Sequence, residues 1–184
     1  QVAAGDAHTV LLRSDGRVVA SGSNDHGQCV IPEVVAGERY VQVAAGYVHT
    51  LLLRSDGHVV PCGSNTQGQC NIPALEEGMA YCAVAAGGSH SVLLRRDGQA
   101  VACGNDADGQ CAIPETEEGV RYSEIAAGDS HTVLLRSDGH VRACGDNRFG
   151  QCCCPKVDDC VQVAAGGCHS VCLCSDGFVA TWGG

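Results

Sequence analysis

The chain is short of positive charge. Eleven Lys and Arg stand against 21 Asp and Glu, a formal net charge of −10 over 184 residues. That balance argues against direct binding to nucleic acid, which requires basic patches to meet the phosphate backbone. No apolar run approaches the roughly 20 residues that span a bilayer as a helix, so no membrane segment is expected. No stretch carries a 3.6-residue apolar period, so helix is expected to be nearly absent. No Gly-Lys-Ser or Gly-Lys-Thr occurs, which excludes a phosphate-cradling P-loop. An initial Met is also missing: the chain starts at Gln1, already inside a repeated pattern, and reads as a piece of a longer array. The lack of a leader at this N-terminus therefore carries no information.

Cysteine is abundant, with fourteen in the chain. Secreted disulfide scaffolds are usually short and poor in core residues. Here 45% of the residues are hydrophobic, enough to build a core without staples. The sequence therefore predicts free, mostly buried thiols, among them Cys29, Cys70 and Cys111, and an intracellular place, cytoplasmic or nuclear.

One stretch is written five times. Residues 42–57 read QVAAGYVHTLLLRSDG, and close copies begin at Gln1, Ala83, Glu124 and Gln162. His8, His49, His90, His131 and His169 mark a period of 41 residues that shortens to 38 at the last step. A fixed period of about 20–50 residues signals a solenoid, propeller or array. The sequence divides into one tandem-repeat segment over 1–184, with copies at about 1–41, 42–82, 83–123 and 124–161 and a partial copy at 162–184.

Within a copy, YVQVAA (40–45) alternates like a strand, and Gly46 ends it as the residue that turns most cheaply. HTLLLR (49–54) has apolar residues on both faces, as in a central strand covered on both sides. Ser55-Asp56-Gly57 is a hairpin signal, because Gly accepts a positive φ. HVVPC (58–62) returns as the next strand. A polar loop and a weak extended segment (69–73) follow, then an acidic connector. Short strands at this period predict an all-β fold: a β-propeller built from 41-residue repeats, with about four blades plus part of a fifth in this segment.

The pattern AAGxxHTxxLxSDGxVxxxGxNxxGQC resembles the repeat of the regulator of chromosome condensation family. The compact repeat is similar to the short blades of β-lactamase inhibitor protein II and to the propellers of HERC-type ubiquitin ligases. Known members form seven-bladed rings, so the resemblance implies an incomplete ring here. It also implies a non-catalytic protein–protein interaction module. Two alternatives are the substrate-recruiting part of a HERC-type ubiquitin ligase and a nucleotide-exchange module for a small GTPase. The family's usual Trp before the glycine that closes the third strand is Ser21, Cys62, Cys103 and Cys144 here, and only Trp182 matches. A photoreceptor of this family needs clustered tryptophans, and one Trp forms no cluster.

The repeated residues read as structural. Equivalent histidines in successive blades are spread around a ring and cannot converge on one metal. They are expected to bond backbone within their own blades, beside Thr9, Thr50, Ser91, Thr132 and Ser170. The aspartates of the Asp-Gly pairs read as turn chemistry, and Asn24, Asn65, Asp106 and Asn147 as loop braces. Cys152, Cys153, Cys154, Cys160, Cys168, Cys172 and Cys174 crowd the last part of the chain, but their spacing fits no standard zinc motif. They read as ordinary thiols, with no metal and no cofactor. His8 with Ser14 and Asp15 belongs to the repeat, and a catalytic triad is not expected.

Function should lie where copies differ. Arg148 and Phe149 form the best partner-binding pair, a cation beside a large aromatic. Their counterparts Asp25-His26 and Thr66-Gln67 are weaker candidates, as is Tyr47. The acidic connectors, with Glu76, Glu77, Glu117 and Glu118, should form an arc on one side of the ring that steers a basic protein partner.

Overall fold

The computed structural model describes residues 1–34 and 37–184. Fifteen strands form five three-stranded antiparallel sheets, with no helix among the described residues. The first blade holds β1 (Val2–Ala4), β2 (His8–Leu12) and β3 (Val18–Gly22). The second holds β4 (Tyr40–Ala45), β5 (His49–Arg54) and β6 (Val59–Gly63). The third holds β7 (Tyr81–Ala86), β8 (His90–Arg95) and β9 (Ala100–Gly104). The fourth holds β10 (Tyr122–Ala127), β11 (His131–Arg136) and β12 (Val141–Gly145). The partial fifth copy still supplies three strands, β13 (Cys160–Ala165), β14 (His169–Cys174) and β15 (Val179–Gly183).

Each blade is a meander with its second strand in the middle. The Asp-Gly pairs close the second hairpin as expected: Gly16, Gly57, Gly98, Gly139 and Gly177 all sit at φ of 80–88°. The aspartate before each glycine accepts the backbone N–H two residues on, as Asp56 Oδ1 does from His58 at 3.0 Å. The weak fourth strand does not form. Asn65 Oδ1 accepts the Cys70 N–H at 2.9 Å and the Gly68 carbonyl accepts the Asn71 N–H. Residues 69–73 therefore follow a braced turn and have no ladder to join.

The core lies between blades. Strand residues alternate faces, so Leu52 packs with Val10, Tyr40 and Val43 toward the first blade. Leu51 and Leu53 pack with Tyr81, Val84 and Leu93 toward the third. The next joint gathers Val92, Leu94, Tyr122, Ile125 and Leu134, and the last gathers Val133, Leu135, Val163 and Cys172. Each fully buried Leu contributes about 1.5–3 kcal/mol, and all of it depends on having a neighbouring blade. The arc is open, and its end blades show the consequence: Val2, Leu11 and Val19 at one end, and Val161, Phe178 and Val179 at the other, are exposed.

β1, β4, β7, β10 and β13 pack on one another in succession. Their Ala-Gly ends line a shared channel of about 260 Å3 on the axis. The third strands form the periphery, where Pro61 in β6 can sit without breaking an inner ladder.

Candidate functional site

The repeated polar residues are committed to the joints. His8 Nε2 lies 2.8 Å from Thr50 Oγ1 in the next blade, and that hydroxyl donates to the Gln28 carbonyl at 2.8 Å. The same relay runs from His49 to Ser91 to Gln69, His90 to Thr132 to Gln110, and His131 to Ser170 to Gln151. The hydroxyl spends its one proton on the carbonyl, so the imidazole must donate, and the proton sits on Nε2. Burial holds these rings neutral, pushing His49 and His90 down to about 4. The expected bond to backbone within the same blade is thus replaced by a bond across the joint. Adjacent strand residues point to opposite faces, so His49 and Thr50 serve different joints. The glutamine of each GQC tripeptide, not singled out from the sequence, is fully buried beside the relay. Gln69 Oε1 also accepts the Gln67 N–H at 2.9 Å.

The glycine after each Ala-Ala pair is required for space, not for a positive φ. A Cβ on Gly46 would stand 2.3 Å from the Gly87 carbonyl oxygen and 2.3 Å from His49 Cε1. A second joint contact comes from the first residue of the copy. Gln42 accepts the Val84 N–H at 3.0 Å and donates to its carbonyl at 3.2 Å, and Gln1 does the same to Val43. At the fourth joint Glu124 accepts the Val163 N–H at 2.8 Å but has no N–H to return.

His8 lies at the start of β2 and the Ser14-Asp15 turn beyond its other end, so they form no triad. The thiols are free, but Cys29, Cys70 and Cys111 are half-buried and donate to the carbonyls of Ser23, Ser64 and Asn105. Cys82 and Cys153 are exposed.

The partner-binding candidates fall on two opposite rims. One rim carries the Ala-Ala-Gly ends and the loops after the third strands, joined by bonds such as Ser64 N–H to the Val48 carbonyl. It holds Tyr47, Asp25-His26, Thr66-Gln67 and Arg148-Phe149, all exposed. The other rim carries the Asp-Gly hairpins and the acidic connectors, joined by bonds such as Ser137 N–H to the Arg121 carbonyl. Glu76, Glu77, Glu117 and Glu118 lie there, also exposed. Glu117 is not free: its carboxylate pairs with the buried Arg136 at 2.8 Å.

On the first rim Arg148 is held by both oxygens of Asp146, Nε at 2.9 Å and Nη2 at 2.8 Å. Its side chain is nevertheless 75% exposed, and Phe149 beside it is 59% exposed. Tyr47 stands at the channel mouth. Its N–H reaches the Gly88 carbonyl of the next blade, and the nearby Asp129 carboxylate raises its phenol to about 12.

The sequence profile of the "Regulator of chromosome condensation (RCC1) repeat" matches residues 1–28, 40–69, 81–110 and 122–151, more than half of the chain. The chain belongs to the RCC1 repeat family. Comparison with curated sequences gives no match. Among solved structures, this RCC1-repeat arc is similar to human WBSCR16, with a TM-score of 0.87 and 22% identity over 99% of this chain and 61% of that one. It is similar to Prp20p from Saccharomyces cerevisiae, solved in a study of its binding to Gsp1p and histones, with a TM-score of 0.84 and 24% identity over 100% and 57%. It is also similar to the ectodomain of the Arabidopsis thaliana receptor kinase ACR4, at 0.78 and 22% over 100% and 70%. The arc thus spans less than two thirds of WBSCR16 and of Prp20p, and at these identities the likeness concerns the fold.

Proposed function

We propose that this RCC1-repeat arc is a non-catalytic scaffold that binds a protein partner through the rim bearing Arg148, Phe149 and Tyr47. The observation that carries the reading is the Arg148–Phe149 pair. Asp146 fixes the guanidinium in place, so little side-chain entropy remains to be lost on binding. The aromatic next to it stays open to solvent. Arg and large aromatics dominate interface hot spots, and the other copies carry Asp25-His26, Thr66-Gln67 and Ala107-Asp108 here, so the fold does not demand the pair. The binding of Prp20p to Gsp1p and histones supports a protein as the partner; a basic one would be steered to the opposite, acidic rim rather than to this one. The free thiols favour a reducing, intracellular setting, whereas the fold alone also serves ectodomains such as that of ACR4.

The test is the double substitution Arg148→Ala with Phe149→Ala. Partner capture should fall by roughly 2 kcal/mol or more, a thirtyfold loss of affinity, with the melting temperature unchanged. A large fall in melting temperature with binding intact at low temperature assigns the pair to the fold and refutes the reading.

A further inference from the structure

Four positions around the last joint carry cysteine where the earlier joints carry other residue types, and three of the four sulfurs meet in space. Where the first joints have Ile31, Ile72 and Ile113, the last joint has Cys154, in the loop after β12; where they have Tyr40, Tyr81 and Tyr122, it has Cys160 at the start of β13. Cys172 stands in the series Leu11, Leu52, Leu93 and Leu134, and Cys174 in the series Arg13, Arg54, Arg95 and Arg136. In the earlier joints the Ile, Tyr and Leu share a cluster, as Ile72, Tyr81 and Leu93 do. The tyrosine also donates to a proline carbonyl, Tyr81 to Pro73 at 2.8 Å, and is paired across the hairpin with the arginine, Tyr81 with Arg95. Replacing the tyrosine, leucine and arginine by cysteine brings three thiols around one point, with Cys154 packed beside them.

The sulfurs of Cys160 and Cys172 are 3.2 Å apart, those of Cys160 and Cys174 3.9 Å, and all three lie within 4.8 Å of one another. All three residues are buried, and Cys154 packs against the same cluster. Sulfurs bound to one zinc ion at about 2.3 Å stand about 3.8 Å apart in a tetrahedron, so the trio brackets that spacing and needs adjustment of no more than about 1 Å. A cleft of about 230 Å3, lined by Val157, Asp158, Cys174 and Asp176, opens onto the cluster and gives an ion a way in. Asp176 adds negative charge there: its counterparts Asp56, Asp97 and Asp138 each pair with an arginine that is Cys174 in this blade.

We infer that Cys160, Cys172 and Cys174 form a binding site for a thiophilic closed-shell cation of the zinc class, with Cys154 as the fourth ligand. The metal displaces one proton from each thiol it binds, and the thiolates supply all four bonds, so the site is structural and closed. It ties β13 to β14 and, through Cys154, to the loop after β12.

The test uses the full chain, reduced and free of oxygen, titrated with Co2+ as a spectroscopic stand-in for Zn2+. One equivalent should be taken up, with thiolate-to-cobalt charge-transfer absorption and the visible bands of a tetrahedral site, both bleached by Zn2+. A variant with Cys160→Tyr, Cys172→Leu and Cys174→Arg restores the residues of the other blades. It should lose the bands and the zinc-dependent rise in melting temperature that any native-state ligand gives. Should that variant not fold, Cys174→Ser alone, nearly isosteric, should weaken the charge-transfer band. Replacing the exposed thiols, Cys82→Ala with Cys153→Ala, should leave the bands intact. Absence of bands in the parent chain, or their survival in the triple variant, overturns the proposal. So does their loss on removal of Cys82 and Cys153.

Discussion

Thr132→Val removes one hydroxyl and leaves two buried groups without partners. Thr132 Oγ1 accepts from His90 Nε2 at 3.0 Å and donates to the Gln110 carbonyl at 2.8 Å, and His90, Thr132 and Gln110 are all buried to within 1%. Valine matches threonine in shape, so packing is nearly conserved and the change isolates the polar loss. Each orphaned buried group costs about 1–3 kcal/mol, which puts the substitution at about 3 kcal/mol. Thr132→Ser is the control. It removes one buried methyl, about 1 kcal/mol, and keeps the relay, as Ser91 and Ser170 already do in their own joints. The measurement is urea unfolding followed by circular dichroism. At an m-value of about 2–3 kcal/mol/M, valine should lower the midpoint by about 1 M and serine by less than half of that. If valine costs no more than serine, the relay does not hold the joints together, and apolar packing alone must.

Acidification should weaken the fold before the carboxylates titrate. His49 and His90 sit at about 4 in the folded chain and near 6.5 when unfolded, so between those values the unfolded chain binds more protons. The stability from keeping both rings neutral is complete above pH 6.5 and is lost as pH falls toward 4, at about 2–3 kcal/mol per ring; unfolding midpoints at pH 7 and pH 4.5 check this, and equal midpoints refute it. Glu124→Gln should stabilise the chain at pH 7 by about 1 kcal/mol, since glutamine can return an N–H to the Val163 carbonyl as Gln42 does to Val84. Burial raises the Glu124 carboxyl, so its folded form holds a proton longer than the unfolded one and the carboxylate's penalty grows as pH rises. The advantage of glutamine should therefore shrink as pH drops through the carboxylate range, which melting curves across that range would show.

The period of the histidines and the Asp-Gly pairs made the blade legible, because both signals are local: a strand alternates faces and a tight turn needs its glycine. Inter-blade contacts were harder. His49 stands next to Thr50 in the sequence, yet the period-two alternation of a strand already forbids them a shared face, and the true partner of His49 is Ser91. Gln28, Gln69, Gln110 and Gln151 never vary, and an invariant amide inside an apolar tripeptide was a sign of a buried, satisfied group. The acidic connectors were placed together as an arc on one side of the ring; strand direction puts Tyr47 and Arg148 at one end of the sheets and Glu76 and Glu117 at the other. The thiol cluster escaped because metal-motif spacing assumes ligands on one local loop. Here they lie on two paired strands and a preceding loop, and only alignment of the fifth copy against the other four reveals them.

The relay at each joint has a direction. One copy supplies both the imidazole and the glutamine carbonyl, and the next copy inserts a single hydroxyl between them. Every copy is thus a socket on one face and a plug on the other. Tandem duplication of the coding unit creates a matched pair at once, since the new plug meets an old socket and the old plug meets a new one. No compensating substitution is needed, and blades cannot stack face to face in the reverse sense. An array built this way can gain or lose whole units by recombination while each surviving joint keeps its chemistry. The loops of a newly copied unit, which take no part in the joint, are then free to drift toward a partner.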